Sequence, residues 1–116
     1  MRFSEDNLQT AVARYLDLLR ADWFHVANER QTSIKRGARL KAKGVKAGVP
    51  DIIILNQRHG FSGLIIELKV KPNRVSPAQK NWLQTFERYN YKTAVCFDID
   101  EALKTIDDYF GKKKVS

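Results

Sequence analysis

The sequence of this 116-residue chain predicts one α/β domain, a mixed central β-sheet flanked by helices. Three observations carry that expectation. Residues 52–55 and 63–70 are β-rich apolar runs joined by a polar segment containing Gly60, the pattern of a hairpin. Apolar residues at helical spacing precede and follow the hairpin, so helices are available to cover it. The resulting order is helix, strand, hairpin, helix, strand, helix, with the hairpin strands central and no room in residues 1–116 for a second unit.

The first helix is expected to start at Ser4 as N-cap, with Glu5 and Asp6 complementing the macrodipole in its first turn. Leu8, Ala11, Val12, Tyr15, Leu16 and Leu19 form its apolar stripe, and Glu5, one turn before Leu8, continues that inward face. Residues 21–27 read as an edge or second-layer strand, in which His25 is a packing residue. Residues 28–47 show no strand; 38–43 can make one or two helical turns closed by Gly44.

After the hairpin, Ser76 as N-cap, Pro77 at N1 and Gln79 at N3 mark a second helix with a capping box. Trp82, Leu83, Phe86 and Tyr89 supply its buried face. Residues 92–97 give the last strand, and Asp100 caps a final helix with Leu103, Ile106 and Phe110 inward before Gly111. Lys112, Lys113 and Lys114 form a basic tail, and His59 in the hairpin loop is expected to be solvated.

The composition excludes several classes. No apolar run approaches the roughly 20 residues of a membrane span, and the first residues lack a signal-peptide core, so a cytoplasmic protein is expected. The single cysteine, Cys96, lies in an apolar run and reads as core; no Cys/His spacing suits zinc. A net charge of +8 favours polyanionic partners, with acidic proteins and anionic membranes as alternatives on charge alone. Six of the basic residues, Lys35, Arg36, Arg39, Lys41, Lys43 and Lys46, fall together without an acid among them. They read either as a solvated basic segment or as contacts to a phosphate backbone, and their entry into the strand at Asp51 favours the second.

The hairpin carries charge where a covered strand should carry none. Asp51 opens its first strand, and Glu67 and Lys69 share one face of the second. Burying isolated ions costs several kcal/mol each, so such groups pair or hold a metal. Two carboxylates with a lysine suit a hard divalent cation, magnesium or manganese, with the lysine acting on a water or a phosphate. A solvated Glu67–Lys69 ion pair on an open sheet face is the alternative. Register is the point of exposure: a centred loop puts Asp51 opposite Leu68, on the wrong face, and a slip of one residue is required to bring it opposite Glu67 or Lys69.

At these residues the chain resembles a known family. Gly48-Val49-Pro50-Asp51, an apolar strand, Ile66-Glu67-Leu68-Lys69 and then Ser76-Pro77-x-Gln79 resemble the PD-(D/E)XK nucleases, most closely the VRR-NUC domain in its small stand-alone phage and prophage form. The similarity runs from Glu5 to the last helix. It implies a restriction endonuclease-like core and a metal-dependent nuclease acting on structured DNA such as four-way junctions. It also implies a glutamate on the first helix, matched by Glu5, that helps complete the metal site, and a glutamine, matched by Gln79, that contacts a catalytic water or a phosphate.

Residues and resemblance together give a magnesium- or manganese-dependent DNA endonuclease. Asp51, Glu67 and the Leu68 carbonyl hold the metal, Glu5 completes the shell or a second ion, and Lys69 orients or deprotonates water. Lys35 to Lys46 grip the DNA backbone. Symmetric cleavage of a Holliday junction then calls for a homodimer. The rivals are a nuclease or nickase of flaps and DNA ends, and a non-catalytic nucleic-acid-binding module.

Overall fold

In a computed structural model, which describes residues 4–27 and 34–111, the elements follow the expected order with one addition. They are α1 (Glu5–Leu18), β1 (Trp23–His25), α2 (Ile34–Ala42), β2 (Ile52–Ile54), β3 (Gly63–Leu68), α3 (Pro77–Arg88), β4 (Tyr91–Cys96) and α4 (Ile99–Phe110). The basic segment therefore makes a longer helix than expected. The N-terminal residues before Ser4 and the tail at Lys112 to Lys114 lie outside the described residues.

The sheet order is β1-β2-β3-β4, with the first three strands antiparallel and β4 parallel to β3. The hairpin strands are central, as the double-sided burial of β2 and β3 requires. Alternation along the strands divides the core in two. Ile52, Ile54, Leu64, Ile66 and Leu68 meet Leu8, Val12 and Leu16 of α1 and Ala102, Ile106 and Tyr109 of α4. Ile53 and Ile65 face the other way, against Leu83 of α3 with Phe86, Tyr91 and Val95 around them.

Three helix details differ from expectation. Asp98, not Asp100, is the N-cap of α4, accepting from the Glu101 N–H at 2.8 Å. Either aspartate has the chemistry of a cap, and the choice turns the helix: Ala102, Ile106 and Tyr109 are buried, while Leu103 and Phe110 are half-buried. Tyr89 is 70% exposed, because it is the C-cap of α3 and lies beyond the last turn that touches the sheet. His59 is exposed in the hairpin turn, as expected, and its Nε2 donates to the Tyr109 carbonyl at 2.9 Å, tying the hairpin tip to the end of α4.

Candidate active site

The hairpin turn decides which face the acids take. His59 and Gly60 both have positive φ, +55° and +80°, and the Phe61 N–H donates to the Arg58 carbonyl at 2.8 Å, the pattern of a type I′ turn. Arg58 pairs with Phe61 around that turn, whereas farther down Ile54 pairs with Leu64. Leu55, Asn56 and Gln57 thus stand against only Ser62 and Gly63, one extra residue on the β2 side.

This bulge supplies the required slip. Asn56 holds it: its Oδ1 accepts from the Asp22 N–H at 2.7 Å, and its carbonyl accepts from the Tyr109 hydroxyl at 2.6 Å. With Ile52 opposite Ile66, the ladder continues to place Asp51 opposite Glu67, on the face of Ile53 and Ile65.

The charged cluster is buried: Asp51 is 6% exposed, Glu67 1% and Lys69 6%. These are the buried charged residues among those described, and burial rules out the open-face ion pair. Asp51 Oδ2 accepts from the Leu68 N–H at 2.8 Å. A strand residue directs its N–H and C=O to the same side, so the Leu68 carbonyl also faces Asp51, beyond the end of β2. Glu67 Oε2 accepts a long hydrogen bond, 3.4 Å, from Gln79 Nε2.

Gln79 is placed by its own helix. The Gln79 N–H donates to Ser76 Oγ at 3.1 Å and Gln79 Oε1 accepts from the Ser76 N–H at 2.8 Å, completing the expected capping box and aiming the remaining amide nitrogen at Glu67. Gly48 allows this approach. Its φ is +83°, and a Cβ there would lie 2.7 Å from the Ala78 carbonyl carbon and 2.8 Å from the Gln79 nitrogen. Trp82 Nε1 adds a hydrogen bond to the Ala47 carbonyl at 3.1 Å, so the segment leaving α2 is seated on the first turns of α3.

The arrangement fits a hard divalent cation. Like charges directly opposite on a sheet repel, and two buried carboxylates with a main-chain carbonyl beside them are oxygen donors of the kind such ions take. Among the described residues no group of three or more His, Cys, Asp or Glu is found that could hold a metal ion; Glu5 is half-buried at the start of α1.

Lys35, Arg36, Arg39, Lys41, Lys43 and Lys46 are all exposed on α2 and the turn after it. That helix leads through Gly48 into Asp51, as the sequence suggested. Cys96 is buried, its thiol pushed up to about 11 chiefly by desolvation. His25 was missed: its Nδ1 lies 2.9 Å from the Asp51 carbonyl. No local pattern announces it, since the contact crosses strands 26 positions apart.

Comparison with known proteins agrees with this fold. Residues 4–97 match the VRR-NUC domain family, a span that runs from α1 through β4. A solved structure described as a VRR_NUC domain protein is 27% identical, with a TM-score of 0.79 over 98% of this chain and 93% of its own. A second, described as a VRR_NUC domain, is 16% identical and shares the fold, with a TM-score of 0.61 over 90% of this chain and 96% of its own. No curated protein gives a significant match. With Asp51, Glu67 and Lys69 buried at one end of a mixed sheet, and with its match covering most of its length, the chain belongs to the VRR-NUC family of nuclease domains.

Proposed function

We propose that this protein is a magnesium- or manganese-dependent endonuclease that hydrolyses phosphodiester bonds in DNA and selects its substrate by structure. The observation that carries the reading is the register that sets Asp51 opposite Glu67, both buried, with Lys69 on the same face. Asp51, Glu67 and the Leu68 carbonyl would hold the ion, with Glu5 completing the shell or a second ion. A bound divalent ion supplies Lewis-acid charge for acidifying water and offsetting charge on phosphate.

Lys69 orients the attacking water or takes its proton, and Gln79 holds the Glu67 carboxylate in place through Nε2. Lys35, Arg36, Arg39, Lys41, Lys43 and Lys46 on the α2 side grip the backbone without reading bases, which favours recognition of DNA shape. The preferred substrate is a four-way junction, cut by a homodimer that brings one site to each of two strands. Flaps and DNA ends are the second class to be tested.

Labelled junction, flap, duplex and single-stranded DNA, incubated with and without magnesium or manganese, test the proposal. Metal-dependent cleavage of junctions in preference to the rest is expected. Binding without cleavage under every metal condition would make the protein a binding module.

A further inference from the structure

We infer that His25 is a positioning residue that holds the Asp51 main chain, and through it the Asp51 carboxylate, in the geometry of the site. The inference rests on the assignment of Asp51 to that site. Asp51 lies just outside β2, which starts at Ile52, and the residue before it, Pro50, has no N–H to donate to a ladder. Its anchorage therefore comes from what its own carbonyl and carboxylate accept.

The carbonyl accepts twice, from the Val26 N–H at 2.8 Å and from His25 Nδ1 at 2.9 Å. A carbonyl cannot donate, so Nδ1 carries the proton. The carboxylate then accepts from the Leu68 N–H at 2.8 Å. His25, Asp51 and Leu68 thus form a chain of contacts from the edge strand to the Glu67-Leu68-Lys69 segment. Val26 extends the β1–β2 ladder by one position, but a single main-chain bond at a strand end frays; the imidazole occupies the second lone pair of the same oxygen.

Four measurements test this. In the metal-free protein, nitrogen-detected NMR of the imidazole should find the Nδ1–H tautomer of His25, and the Leu68 amide should exchange at least tenfold faster in His25→Ala than in wild type. His25→Asn, whose side-chain amide nitrogen stands where Nδ1 does, should restore the slow exchange. Manganese affinity should follow the same order, and in cleavage kcat should fall in His25→Ala with KM for duplex DNA unchanged.

An Nε2–H tautomer, or Leu68 exchange equal in wild type and His25→Ala, would overturn the inference. Should His25→Ala fail to fold, the tautomer and the exchange rate in His25→Asn still decide. Absence of manganese binding in wild type would count against the metal reading, while the tautomer and the exchange rates would still judge His25.

Discussion

Gln79 Nε2 donates to Glu67 Oε2 at 3.4 Å while the same side chain, through Oε1, accepts the Ser76 N–H at 2.8 Å. One amide therefore serves both a helix cap and an acidic residue of the site. Gln79→Ala should lose about 1 kcal/mol of stability in urea unfolding, the worth of a cap. Cleavage measured where the variant is fully folded should fall about tenfold further. Cleavage that tracks the folded fraction alone would leave Gln79 a capping residue.

The opposed carboxylates predict a sign reversal. Without metal, Asp51→Asn and Glu67→Gln each remove one partner of a like-charge pair and should raise stability by roughly 0.2–1 kcal/mol. With manganese the order should invert, because binding measured by calorimetry should weaken at least tenfold, about 1.4 kcal/mol, in either variant. Equal affinity in all three proteins would refute the ligand assignment.

Lys69→Ala should abolish cleavage and leave DNA binding nearly intact. One lysine among 21 basic residues adds little to a grip on many phosphates and much to a transition state. Loss of binding and cleavage in proportion would mean that Lys69 only contacts phosphate.

The α2 side predicts a salt dependence. Replacing Lys35, Arg36 and Arg39 by Ala should lower the magnitude of the log K against log salt slope on duplex DNA by up to about 2.7, since each released counterion contributes roughly 0.9. An unchanged slope in a folded variant would move the DNA track toward Lys71, Arg74 and Lys80.

Alkaline stability should fall in two stages. Desolvation raises the Cys96 thiol from 9.0 to about 11, and the hydrogen bond to Asp107 raises the Tyr15 hydroxyl from 10.0 to about 12. Both groups favour the folded state while neutral. Their contributions are complete below the unfolded pKa and are lost as pH climbs through the folded one, over 9 to 11 for Cys96 and 10 to 12 for Tyr15. Thermal melting against pH should be flat to about 9 and then decline; Cys96→Ala should delay the onset.

Short-range chemistry was readable in the sequence. The Ser76–Gln79 box, the covered central strands and the shared face of Glu67 and Lys69 depend on neighbours three residues away or on alternation along one strand. Features that depend on distant partners were not. The slip that faces Asp51 toward Glu67 comes from Asn56, which is held by Asp22 and Tyr109, and no spacing within residues 56–63 encodes those partners. His25 reaches Asp51 only once β1 has paired with β2.

The bulge at Leu55, Asn56 and Gln57 gives the protein an unusual vulnerability. Were all three of these residues to enter the ladder, with Asn56 released from Asp22 and Tyr109, the hairpin would zip in its centred register. Asp51 would then turn toward α1 and α4, away from Glu67. The catalytic signature would still be written in full along the chain, and a search by motif would still recognise it, yet the acids would no longer share a face. For this fold, the residue that a loop leaves out of its ladder matters as much to the candidate site as the identity of its acids.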